Sequence, residues 1–156
     1  MLLKLTKLKE LNKKKLKVGI SVGDPNGIGI EVILKCFQNH EILRLFNPVI
    51  FANIEIIEYQ MRQFNINLKL NSIKTFEKIR TDRINVYNIF PGDFKHSFGE
   101  ATVQGGKVAL KSLLASTNAL NSGGIEALVT APINKKNILS EKFNFVGHTE
   151  FLSNFF

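Results

Sequence analysis

Between residues 17 and 130 the chain switches repeatedly between two periods of apolar residues, and that switching leaves few folds open to it. Residues 17 to 22 alternate and are rich in β-branched side chains, then break at Gly23-Asp24-Pro25-Asn26-Gly27. Ile30, Ile33, Leu34 and Phe37 follow at i, i+3, i+4 and i+7. The first run reads as a strand, and the second as a helix with one apolar stripe that must face a sheet. After Asn47-Pro48, residues 49 to 52 make a second apolar run of the buried parallel type, and Ile54, Ile57, Met61 and Phe64 resume helical spacing. Ile66, Leu68 and Leu70 alternate as a strand does, while Ile73, Phe76 and Ile79 fit a short helix.

Residues 84 to 90 give another strand, closed by Pro91-Gly92, and a polar loop over 93–99 leads into a helix from about 101 to 120. Val103, Leu110, Leu113, Leu114 and Leu120 mark its inner side, and Gly123-Gly124 ends it where a helix wants positive φ just past its last turn. A small strand at 127–130 stops at Ala131-Pro132; a short helix over 135–141 and the Gly147-His148-Thr149 turn come after it. Parallel neighbours need crossover helices that cover both faces, so the alternation predicts a three-layer α/β/α fold with a mainly parallel sheet. Ligands gather at the carboxyl ends of such strands. Three loops meet that description: residues 23–29, 130–135 and 147–150.

Composition narrows the class further. With 156 residues, 44% hydrophobic and 22% charged, the chain suits one soluble domain or part of one, and no stretch approaches the ~18 apolar residues of a membrane helix. The net charge of +8 suggests nucleic acid at first sight. Seven of the lysines, however, fall in residues 1–17 against a single acid, Glu10, leaving 14 basic and 12 acidic groups in the rest. Residues 1–16 are therefore expected to be a basic, disordered extension, and residues 17–156 the α/β body. The leucines among those lysines are interrupted too often for an export signal. Cys36, the single cysteine, excludes an internal disulfide, fits a reducing cytoplasm and is expected to be a small buried residue.

The first loop has glycines at 23, 27 and 29, which is neither a dinucleotide fingerprint nor a Walker loop. Gly27 and Gly29 still allow a backbone to approach a ligand, with helix amides able to receive an anion; equally, the loop is a tight turn capped by Asn26. In the second loop Thr130, Asn134 and Lys135 follow a strand directly, and Lys135 can either neutralise a phosphate or simply face water. His148, between Gly147 and Thr149, can bond a substrate oxygen, ligate a metal or move a proton. His40 is expected to cap a helix end and His96 to be exposed; neither is spaced to join His148 in a metal site.

Taken together, Ile20-Ser21-Val22-Gly23-Asp24-Pro25-Asn26-Gly27-Ile28-Gly29-Ile30-Glu31, Ala127-Leu128-Val129-Thr130-Ala131-Pro132-Ile133-Asn134-Lys135 and Gly147-His148-Thr149-Glu150-Phe151-Leu152 resemble the 4-hydroxythreonine-4-phosphate dehydrogenase family of pyridoxal phosphate biosynthesis. The resemblance spans residues 17–156 and about the first half of such an enzyme. It implies the isocitrate/isopropylmalate dehydrogenase-like fold, in truncated form. It also implies oxidation of 4-phosphohydroxy-L-threonine with NAD or NADP, followed by decarboxylation to 3-amino-2-oxopropyl phosphate. A divalent metal (Zn, Mg or Co) assists, since a cation lowers the pKa of the alcohol and steadies the enolate left by decarboxylation. The family's histidine-threonine pair carries over onto His148 and Thr149 as substrate-binding residues. Its metal ligands and nucleotide-binding region lie downstream of this motif, so no metal or cofactor residue is assigned here, and the family is homodimeric.

Two further readings stay open. One is a non-catalytic fragment or binding module that retains a phosphate-ester pocket. The other is an RNA- or membrane-associating protein acting through its lysine-rich start, which the balanced body disfavours. On the family reading the partners are a phosphorylated small molecule and a second copy, with no nucleic acid and no membrane.

Overall fold

The computed structural model describes residues 15–90, 94–138, 145 and 147–156. The lysines of residues 4–14, the turn at Pro91-Gly92 and residues 139–141 of the expected short helix lie outside the described residues. Five strands, β1 (Leu16–Ser21), β2 (Phe46–Ala52), β3 (Leu70–Ile73), β4 (Ile84–Asn88) and β5 (Ala127–Thr130), form one sheet in the order β3-β4-β2-β1-β5. Every described pairing in it is parallel. The helices are α1 (Gly29–Phe37), α2 (Ile54–Gln63), α3 (Val103–Asn121), α4 (Lys135–Ile138) and α5 (His148–Phe155).

Alternate residues of the inner strands are buried on opposite faces, which is what a sheet covered on both sides requires. Ile50 and Ala52 of β2 with Ile84 and Val86 of β4 join Ile30, Leu34, Ile56 and Ile57 of α1 and α2 in one core. Val49 and Phe51 meet Ala119 of α3 and Ile125 in a second. On its outer side α3 carries a third cluster, in which Ala109 and Leu113 pack against Ile138 of α4 and Phe151 of α5. The three-layer expectation holds, with an additional pair of short helices seated on α3.

Some local readings needed correction. Ile73 ends β3 instead of opening a helix, only Phe76–Lys78 forms a 3₁₀ turn, and Ile66 and Leu68 are buried ahead of the strand. Alternation located the apolar side chains there, but the ladder starts only where β4 offers a partner at Ile84. Cys36 is exposed, because it shares the outer side of α1 with Val32 and Lys35 while Ile33, Leu34 and Phe37 face the core. His40 opens a 3₁₀ turn (His40–Arg44) whose cap is Asn39, accepting the Glu41 N–H.

Pro48 sits inside β2, where it cannot donate to a ladder. Asn85 of the neighbouring strand β4, fully buried, ties this stretch to the turn before β4. Its side-chain amide donates to the carbonyls of Pro48 (3.1 Å) and Arg80 (3.0 Å), and its oxygen accepts the Arg80 N–H (2.9 Å).

Candidate functional site

The loops after β1 and β5 leave adjacent strands and go to opposite faces of the sheet, one into α1 and the other toward α4, so a crevice opens between them. A cavity of about 230 Å³ occupies it, lined by Asp24, Asn26, Gly27, Ile28, Gly99, Glu100, Pro132, Ile133 and Asn134. Gly23 makes the approach possible. Its φ is +66°, and a Cβ there would strike the Pro132 carbonyl oxygen. Next to it the Asp24 N–H donates to that same oxygen at 3.1 Å.

Asn26 does not cap α1; residue 28 holds the cap position without a side-chain bond. Buried instead, Asn26 joins three segments: its amide donates to Thr102 Oγ1 (3.0 Å), its side-chain oxygen accepts the Ser97 N–H (2.9 Å) and its carbonyl accepts the Gly99 N–H (2.8 Å). Thr102 also caps α3, accepting the Gly105 N–H at 3.0 Å. The two glycines expected to admit a ligand differ in role. Gly27 lines the cavity, whereas the space beside Gly29 is taken by the protein, with the Val22 carbonyl oxygen 2.9 Å and the Ala131 Cβ 3.1 Å from where a Cβ would stand.

The third loop lies beside the second. A Cβ on Gly147 would come within 4.0 Å of the Lys135 Cε. His148 opens α5, and its Nε2 is buried with no hydrogen-bond partner among the described residues. Burial pushes its pKa down, so the ring is neutral at pH 7 and offers an uncharged imidazole. Thr149 is exposed, as is Lys135. None of Lys135, His148 and Thr149 lines the 230 Å³ cavity, so the structure joins the first two loops in one hollow and leaves the third outside it, with Gly147 near the Lys135 side chain.

His96, expected to be exposed, is half-buried. It stacks on Tyr59 (ring centroids 4.0 Å apart) and meets Phe94 edge-on at 4.8 Å, and burial lowers its pKa as well. A larger hollow of about 500 Å³ opens near the ends of β2 and β4, lined by Ile54, Glu55, Lys74, Asn88, Ile89 and Phe90. None of the three motif loops reaches it. Its Asn88 is already engaged with the Ile54 N–H and the Ser72 hydroxyl. Sequence reasoning missed Asn137 and Thr102. The signal for Asn137 was its place two residues past the second loop, and that for Thr102 its place as a capping residue ahead of the long helix.

A family model described as "Pyridoxal phosphate biosynthetic protein PdxA" matches residues 44–156, taking in the second and third loops. The chain belongs to that family. A 4-hydroxythreonine-4-phosphate dehydrogenase of Bacteroides thetaiotaomicron is 34% identical over 91% of this chain and 39% of its own length. A candidate D-threonate 4-phosphate dehydrogenase of Clostridium botulinum is 31% identical over 92% of this chain and 43% of its own. A solved 4-hydroxythreonine-4-phosphate dehydrogenase from Burkholderia phymatum superposes with a TM-score of 0.78 at 24% identity, covering 90% of this chain and 43% of that one, and shows the shared fold. As a PdxA-family member, then, the chain spans about two fifths of the length of the relatives it matches. Among the described residues no three of His, Cys, Asp and Glu stand together as metal ligands would, so no chemical step is assigned to a metal held by them. No helix of the described residues is long and apolar enough to cross a membrane.

Proposed function

We propose that this chain is the N-terminal portion of a 4-hydroxythreonine-4-phosphate dehydrogenase and supplies one wall of its substrate site. The reaction is NAD- or NADP-dependent oxidation of 4-phosphohydroxy-L-threonine, with decarboxylation to 3-amino-2-oxopropyl phosphate. The observation that carries this is the crevice between the β1 and β5 loops, with Gly147 close to Lys135, the residue after Asn134 of its lining. At about 230 Å³ it is smaller than the ~300–1,000 Å³ of sites that enclose a whole ligand, in keeping with an opposite wall supplied from elsewhere.

In this reading His148 and Thr149 bind substrate. The neutral imidazole offers a substrate oxygen its Nε2, which is buried and without a partner among the described residues, a state that costs roughly 1–3 kcal/mol. Lys135 offers an ammonium to the phosphate, and Gly27 lets a ligand approach the β1 loop. The body takes in Leu16, one residue earlier than expected, because Leu16 already pairs with Phe46 in β1. The protein works in the cytoplasm as a homodimer, on a small phosphorylated substrate, with the nicotinamide and a divalent metal held mainly by residues outside this stretch.

Titration of the chain with 4-phosphohydroxy-L-threonine in a calorimeter tests the assignment. Replacing His148→Ala or Thr149→Val is expected to weaken binding about tenfold, the worth of one hydrogen bond. Unchanged affinity in both variants would contradict the assignment. NADH formation by this chain alone would contradict the claim that the site is completed from outside it.

A further inference from the structure

Asn137 belongs to none of the motifs, yet it sits where the walls of the crevice meet. Its amide donates to Asp24 Oδ2 at 2.7 Å and to the Thr102 carbonyl at 3.0 Å, while Asp24 Oδ1 accepts the Asn26 N–H at 2.9 Å. One carboxylate thus takes a bond from each wall, and bonds to a charged acceptor are about twice as strong as neutral ones. The first turn of α3 is bare so that this can happen. A Cβ on Gly106 would strike the Asn137 carbonyl, and one on Gly105 would come within 2.7 Å of Asp24 Oδ1.

The described part of helix α4 is one turn, far shorter than the ~12–15 residues at which an isolated helix begins to hold itself. Its placement comes from what docks it: Ile138 in the apolar cluster on α3, and Asn137 on Asp24 and Thr102. Asn134 and Lys135, three and two positions before Asn137, are placed by the same contacts. We infer that Asn137 is a positioning residue that couples the two walls of the crevice, holding Pro132, Ile133 and Asn134 at a fixed distance from Gly27 and Ile28. The inference rests on the reading of this crevice as the substrate wall and names a residue on which the shape of that wall depends.

Hydrogen–deuterium exchange of the chain and its Asn137→Ala variant tests it without a ligand. Coupling predicts at least fivefold faster exchange in both 24–29 and 132–138, with β2 and β4 unchanged. Gly106→Ala, which displaces α4 without replacing any hydrogen-bonding side chain, should do the same. Faster exchange confined to 134–138, or spread evenly through the strands, would overturn the coupling. Titration with 4-phosphohydroxy-L-threonine separates this from the functional reading. About tenfold weaker binding by Asn137→Ala is expected; parent-like binding would overturn the coupling alone. A parent that binds nothing while its variants show the paired exchange change would sink the substrate reading and leave the coupling standing.

Discussion

His148 and His96 are both imidazoles whose burial opposes protonation, and this gives the chain a one-sided response to pH. Unfolded, each takes up a proton near ~6.5; folded, each does so only at lower pH. Their contribution to stability is therefore complete above pH ~6.5 and is lost as the pH falls below it. Thermal melts should be flat between about pH 8 and 7 and move to lower temperature toward pH 5.5, with a shallower slope in His96→Phe, which keeps an aromatic ring against Tyr59. Equal slopes would mean that His96 has no part in the loss. Of these two, only His148 could be singled out from the sequence, because Gly147 and Thr149 flank it in a recognisable motif. The burial of His96 depends on Tyr59, nearly forty positions away, and no local pattern announces such a contact.

At the scale of elements, apolar periodicity located β1, β2, β4, β5 and the three longer helices, but it misplaced the inner side of α3: Val103 is exposed, and Leu110, Leu113 and Leu114 face the outer cluster, leaving Leu120 alone of that set toward the sheet. It failed at β3, where alternation ran ahead of the hydrogen bonding, and it could not see the polar side chains that join elements. Ser112 is one of these. From the inner side of α3 its hydroxyl donates to the Phe51 carbonyl of β2 (2.6 Å) and accepts the Val22 N–H just past β1 (2.9 Å), bridging two strand ends in a fully buried place. Ser112→Ala keeps the helix and removes both bonds, so it should cost about 2 kcal/mol in chemical denaturation. A loss below roughly 0.5 kcal/mol would show that water or a shift of α3 replaces them. A small polar residue on an otherwise apolar stripe was the only hint, and helical spacing alone does not distinguish a bridging serine from a merely tolerated one.

Across the whole molecule, five parallel strands bring two loops far apart in sequence into one crevice, and local glycines, Asp24, Asn26 and Asn137 hold them there. The parallel order follows from the alternation of strands and helices, which is why the fold class was legible. The site was legible only as three loops, since their relative placement depends on strand order and on contacts between residues more than a hundred positions apart. A larger hollow lies near the ends of β2 and β4. The most direct measurement is an NMR titration of the isotope-labelled chain with 4-phosphohydroxy-L-threonine, following backbone amides. The account predicts shifts concentrated in residues 24–29, 132–135 and 147–149. Shifts centred on Ile54, Lys74 and Asn88, or none in the crevice at saturating ligand, would contradict it.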